Sequence, residues 1–353
     1  MSKRRISFLV PGDWNTPTGG YTYDRRMVQS LEDGGWVVDV YHLPGAWPYP
    51  DTGVLSATAA IVASLPDGAL VVADGLAFGA MAAVVKKHTP RLRWVALVHH
   101  PLHLETGLDE TTREQLLVGE SSALQSAAQV VVTSHSTVLD VVAMGVPKAH
   151  IAVVEPGTDP QALRAGRSVR DSTAVRLLCV ATVTPRKGHA VLLQALDGLG
   201  HLPWELHNVG SLDRDPALAS RLQAMSEEGV LAGRVCWHGA VDDEALQAHY
   251  AQADLFVLPS LHEGFGMVVN EAVAHGLPVV TTTAGALAHT LPPGAGLQVP
   301  AGNAAALRDA LGRLMTEPDL CAQLSAGAQA AAQKLPGWNH QASILADVLE
   351  GVA

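Results

Sequence analysis

An α/β protein built from two doubly wound parallel sheets is the architecture this chain predicts, and three observations carry it. Short apolar runs alternate with helix-period segments along nearly the whole length, the pattern of successive βαβ units. The 353 residues exceed one typical domain. A polar stretch rich in Arg, Asp and Gly, 158–173, interrupts the alternation, and a second βα series opens at Val175. The expected domains are 1–165 and 173–337, followed by a terminal helical segment, 338–353.

In the first half, strands are expected at 6–11, 36–43, 69–74, 94–99, 129–133 and 151–155. The loop after the first, GDWNTPTGGYTYDRR, carries Gly19 and Gly20, which let backbone approach a ligand closely. It is not a GxGxxG fingerprint, so a dinucleotide oxidoreductase is disfavoured. Ligands gather at the carboxyl ends of such strands, where the fourth delivers HHPLHLE. A zinc site on His99, His100 and His103 is a poor alternative, because adjacent histidines rarely share a metal and no second cluster completes it.

In the second half, strands are expected at 175–182, 205–210, 234–238, 255–258, from 278, and at 296–300. Arg186 and Lys187 precede a helix. Asp213-Arg214-Asp215 has the form of a metal-binding DxD, but Pro216 and a helical run follow at once, so these acids read as helix N-terminal residues. Asp242-Asp243 caps a helix ending near Ala253, and 303–315 and 319–334 are amphipathic helices.

The stretch 255–283, LFVLPSLHEGFGMVVNEAVAHGLPVVTTT, is the most informative. It reads strand, glycine loop, helix, strand, with Glu263 and Glu271 eight positions apart. With a helix start near Gly266, Glu271 lies about 7 Å along the axis while Glu263 stays in the loop. The N–H groups of Phe265, Gly266, Met267 and Val268 fall between the acids. Helix-start N–H donors suit phosphate, and carboxylates accept from hydroxyls. Sugar, diphosphate and ribose in that order describe a nucleotide sugar.

The residues EGFGMVVNE resemble the Glu-x7-Glu signature of retaining glycosyltransferases with the GT-B fold, two Rossmann-like domains facing a cleft, and specifically family four. The resemblance implies that Glu263 meets donor-sugar hydroxyls, that Gly264, Phe265, Gly266, Met267 and Val268 meet sugar and diphosphate, and that Glu271 holds the ribose. It also implies diphosphate contacts from Gly19 and Gly20, a donor-binding His99 with His100 as the fallback, and backbone near the base at Gly239. Arg186 and Lys187 would neutralise the leaving diphosphate without a metal. Ala181-Thr182 departs from the family's usual Gly-Arg. Similar proteins carry a glutamate where this chain has His289, and their last helix crosses back onto the first domain, the role implied for 338–353.

Composition describes a well-buried globular protein: 48% apolar and 16% charged residues. Net charge is −11, with 13 basic and 16 acidic residues before position 168 and 10 and 18 after it, which argues against nucleic acid as a partner. Arg25, Arg26, Lys86, Lys87, Arg91 and Arg93 could give the first domain weak membrane contact, although solvated faces are the plainer account. Cys179, Cys236 and Cys321 read as buried thiols in a reducing compartment. The start MSKRRISFLV enters a strand without signal-peptide architecture, so a cytoplasmic protein is expected.

The expected function is metal-independent, retaining transfer of a hexose from a nucleotide diphosphate sugar, UDP ahead of GDP, to a hydroxyl of a lipid, glycan or small metabolite, with no cofactor beyond that donor substrate. A nucleotide-sugar epimerase or a non-catalytic nucleotide-sugar-binding protein are the alternatives.

Overall fold

The computed structural model describes residues 4–161 and 174–353. The chain divides into two compact units, Met1–Gly157 with Pro336–Ala353, and Thr158–Leu335. Of the stretch expected to link two domains, 162–173 lie outside the described residues.

The first unit contains β1 (Arg5–Pro11), β2 (Val37–Leu43), β3 (Leu70–Asp74), β4 (Arg93–Val98), β5 (Gln129–Val132) and β6 (Ile151–Val153). They form one parallel sheet in the order β2-β1-β3-β4-β5-β6. The second unit contains β7 (Val175–Val180), β8 (Trp204–Val209), β9 (Val235–Trp237), β10 (Leu255–Leu258), β11 (Val279–Thr282) and β12 (Gly296–Val299). Its parallel order is β12-β11-β10-β7-β8-β9.

Sequence explains which strands are central. LVVAD, LFVL and VVTT are buried at every position, because a sheet covered by helices on both faces demands continuous apolar runs. Each such Val, Leu or Phe contributes about 1.5–3 kcal/mol on full burial. The edge strands β2, β9 and β12 keep half-exposed positions.

That edge placement corrects one expectation. Cys179, on central β7, is buried, but Cys236 is exposed and Cys321 intermediate. The apolar run VCW is an edge strand, partnered on one side alone, and its middle residue Cys236 stays exposed.

Two topological switch points follow from the strand orders, between β1 and β3 and between β7 and β10. In doubly wound sheets ligands gather at such points, outside the carboxyl ends of the strands. Gly19-Gly20 follow β1, Lys187 follows β7 and Glu263 follows β10.

The last helix, Trp338–Val352, belongs to the first unit. Trp338 meets Tyr23 edge-on at 6.0 Å, Arg26 lies 5.4 Å from the Trp338 ring centre, and Arg4 pairs with Glu350 at 2.7 Å. Gly157 is required beside it, since a Cβ there would lie 2.4 Å from the Trp338 backbone. Among the described residues no helix is long and apolar enough to cross a membrane.

Candidate functional site

In the second unit, the loops after β7 and β10 are locked together before any side chain is considered. Leu261 N–H donates to the Arg186 carbonyl at 2.7 Å. Gly188, at φ 70°, lies so close to the β10 loop that a Cβ would sit 2.1 Å from the Pro259 carbonyl oxygen. This contact aims the two cations preceding Gly188 at Glu263. Lys187 Nζ reaches Glu263 Oε1 at 2.5 Å, and Arg186 Nη1 reaches Glu263 Oε2 at 3.1 Å and the His262 carbonyl at 2.9 Å. Ser260 Oγ donates to Glu263 Oε1 at 2.6 Å, and Thr282 Oγ1 in turn donates to the Ser260 carbonyl at 2.7 Å.

Glu263 is 6% exposed. Burial alone would raise its carboxyl, but Lys187 and Arg186, helped by Ser260, hold it down to about 2. It is an ionised acceptor throughout the neutral range.

Beyond Glu263 the backbone is fixed from the neighbouring loop. Ala286 N–H donates to the Glu263 carbonyl at 2.9 Å, and Thr290 Oγ1 to the Phe265 carbonyl at 2.6 Å. Gly266 caps the helix Met267–Ala274 in a left-handed conformation, φ 90°, which turns the chain into its first turn. Those first-turn N–H groups have no carbonyl a turn earlier in the helix, so Met267 and Val268, led in by Gly264, Phe265 and Gly266, present a donor-rich, dipole-positive edge. Glu271, one turn further on, accepts from Tyr250 Oη at 2.9 Å. Burial raises its carboxyl against that hydrogen bond.

The turn after β9 approaches the same end of the sheet. Gly210 N–H donates to the Gly239 carbonyl at 2.8 Å, and a Cβ on Gly210 would lie 2.2 Å from the Ala181 carbonyl oxygen. The loops after β7, β8 and β9 thus meet at Ala181, Gly210 and Gly239. Asp215 is the cap of the helix Pro216–Ser226, accepting from Leu218 N–H at 2.9 Å, and Asp242 caps the helix Asp243–Gln252 in the same way at 2.8 Å. Asp213 turns to Ser211.

In the first unit, His99 Nε2 lies 3.0 Å from Asp24 Oδ1 and 3.4 Å from Asp74 Oδ2. Both acids are buried. Burial opposes an imidazolium, but the two carboxylates outweigh it and hold His99 charged; burial raises Asp24. Gly20 stands in the first turn of the helix Gly19–Asp33, and a Cβ there would lie 3.2 Å from the His99 ring. Gly20 therefore admits the ring as well as any ligand. His103 points to Glu120 at 3.7 Å, away from the company of His99.

Sequence reasoning missed Asp24, Asp74, Ser260, Thr282, Gly285 and Tyr250. Asp24 and Asp74 carried a signal, an acid in an apolar helix face and an acid ending a buried strand. Gly285 is needed because a Cβ would lie 2.4 Å from the Glu263 carbonyl oxygen.

Paired parallel sheets with charged loops at their switch points define the GT-B class. Sucrose-phosphate synthase from Thermosynechococcus elongatus has this fold, with a TM-score of 0.81 at 23% identity over 99% of each chain. Residues 174–317, which hold every second-unit site residue named above, match the model of the family described as glycosyl transferases group 1. The second unit thus carries the sequence pattern of this family. It is 30% identical over 249 residues to a D-inositol 3-phosphate glycosyltransferase of Xylanimonas cellulosilytica, covering 66% of this chain and 59% of that one. It is 27% identical over 223 residues to the GDP-mannose-dependent alpha-(1-6)-phosphatidylinositol monomannoside mannosyltransferase of Mycobacterium tuberculosis, covering 58% and 57%. The chain thus spans under two thirds of the length of these relatives.

Proposed function

We propose that the protein transfers a hexose from a nucleotide diphosphate sugar to a hydroxyl acceptor, with retention at the anomeric carbon and without a metal ion at the diphosphate. The observation that carries this reading is the Lys187–Glu263–Arg186 triad, its carboxylate buried, placed directly before a glycine-initiated helix with Glu271 one turn into it.

The geometry suggests how the triad works. Glu263 is paired to two cations that a diphosphate would attract more strongly, since it offers more charge and more acceptor oxygens. Donor binding then draws Lys187 and Arg186 toward the diphosphate and leaves the Glu263 carboxylate for sugar hydroxyls. As the glycosidic bond to phosphate breaks, negative charge grows on the leaving diphosphate, where the two cations and the helix-start N–H groups stabilise it. Glu271 accepts from a ribose hydroxyl, and Gly239 lies toward the base. In the first unit, the charged His99 and the Gly19-Gly20 helix start offer donors to substrate oxygens. Attack on the same face from which the diphosphate leaves accounts for retention without a covalent sugar.

UDP-sugar is the first donor to test, and the mannosyltransferase relative favours GDP-mannose as the second. Both relatives are named for inositol-bearing acceptors, so a polyol headgroup is the first acceptor to try. The experiment is a thermal-shift panel of UDP-, GDP-, ADP- and TDP-sugars with EDTA present, followed by product analysis with inositol-type acceptors and NMR of the new anomeric centre. A shift with one nucleotide and a product of unchanged anomeric configuration supports the proposal. Release of a sugar isomer without acceptor would identify an epimerase, and tight donor binding without any product a binding protein.

A further inference from the structure

We propose that the second unit also holds a transition-metal ion, zinc first, on His207, His238 and His249. One nitrogen from each ring lies within 4.8 Å of the others, and none of these residues takes part in the chemistry proposed above. The three come from different elements: β8, the residue following β9, and the helix Asp243–Gln252. His207 pairs in register with Cys236, two residues before His238, so both histidines project from one sheet face, the face on which His249 meets them.

The distances suit zinc. At about 2.0–2.1 Å per Zn–N bond, ligand nitrogens in a tetrahedral site stand about 3.3 Å apart. His207 Nδ1 and His238 Nε2 are already 2.9 Å apart, and the His238 and His249 ring centres are 4.4 Å apart. Small side-chain rotations therefore suffice. Three histidines leave a fourth position for water, and the exposed His238 supplies the way in from solvent, while His207 is buried.

The surroundings supply the next layer. Arg176 Nε lies 2.9 Å from His207 Nε2, so the ring proton now sits on Nδ1, toward His238. Metal at Nδ1 requires that proton on Nε2. Glu205 Oε1, 3.3 Å from Nε2, is placed to accept it, giving the carboxylate–histidine–metal arrangement that orients metal-bound imidazoles. Among the described residues the cation facing the cluster is Arg176, and it is already held by Glu205 at 3.0 Å and by Gln252. An ion here would tie β8, β9 and the helix Asp243–Gln252 together at an otherwise open sheet edge, beside Gly239.

The test uses the full chain, stripped with EDTA, dialysed and titrated with zinc, with bound metal measured by elemental analysis and the site probed by the visible spectrum of the cobalt form. One equivalent of zinc per chain, tetrahedral cobalt bands and a raised melting temperature are expected. The His238→Ala/His249→Ala double variant should lose all three, and Glu205→Gln should weaken zinc about 10- to 100-fold. Cys236→Ser should keep the ion. The proposal is overturned if the wild-type chain retains no zinc, if the double variant binds as much as wild type, or if Cys236→Ser abolishes binding, which would make the ion an adventitious thiol adduct.

Discussion

Replacing Lys187 by alanine removes the shortest arm of the triad, and the structure sets the size of the effect. The Lys187 side chain is 18% exposed and that of Glu263 7%, so solvent screens the pair only weakly. Burial raises the Glu263 carboxyl and the cations reverse this, taking it from 4.5 to about 2, a net preference for the ionised form of about 3 kcal/mol. Arg186 and Ser260 stay behind in the variant, so the loss should be on the order of 2 kcal/mol, below the usual 3–5 kcal/mol for breaking a buried pair. A double-mutant cycle with Glu263→Gln reads this directly by urea denaturation at pH 7. Each single variant should be destabilised, and the double should be more stable than the sum of the two losses predicts by about 2 kcal/mol.

The pH dependence has a definite sign. A depressed carboxyl stabilises the fold above its ordinary 4.5, and that stability is lost as pH falls through the folded value of about 2. In Lys187→Ala the loss should begin at higher pH. Turnover should fall by about 10²- to 10³-fold, the usual consequence of deleting one stabiliser of developing charge, with acceptor KM little changed. Additive stabilities, within about 0.5 kcal/mol, would refute the coupling, and a normal turnover would refute the role in catalysis.

Glu271→Ala should chiefly weaken nucleotide binding, by about tenfold for one lost charge-assisted hydrogen bond, measured by calorimetry; unchanged donor affinity would remove the ribose role. His99→Gln should lose an alkaline limb of the stability profile. A raised imidazole stabilises fully below its ordinary 6.5 and loses that contribution only as pH rises through its higher folded value, so variant and wild type should converge at alkaline pH. Turnover should persist in EDTA, read below the melting temperature of the stripped protein because the histidine cluster would be emptied too. Full loss restored by manganese would revive a metal role for Asp213 and Asp215.

The strands were legible because parallel sheets buried on both faces need continuous apolar runs, and LFVL shows it: the reading and the structure place β10 at the same residues. Ends were less legible. The fourth strand stops at Val98, one residue before His99, whose imidazole meets Asp24 and Asp74. The carboxylate spacing of Glu263 and Glu271 and the basic pair Arg186-Lys187 were visible in the sequence, but their junction was not. It depends on Gly188, Ser260, Thr282 and Gly285, whose importance lies in contacts between chain segments distant in sequence. The misreading of Cys236 has the same origin, since an apolar triplet does not say whether its strand is central or at an edge.

The triad also explains why a chain would bury three charges at a sheet end. Replacing such a group with apolar residues often stabilises a protein, so stability is a weak reason for it. Pre-paired cations, however, need not be drawn from water when a diphosphate arrives. They exchange one anionic partner for another inside a site whose backbone is fixed by Gly188, Leu261 and Ala286. The cost of desolvating Lys187 and Arg186 has been met on folding, and Glu263 is released where a hydroxylated partner needs an acceptor. On this reasoning Glu263→Gln should lose on both counts: it holds the cations less firmly before donor binds, and it offers a weaker acceptor afterwards.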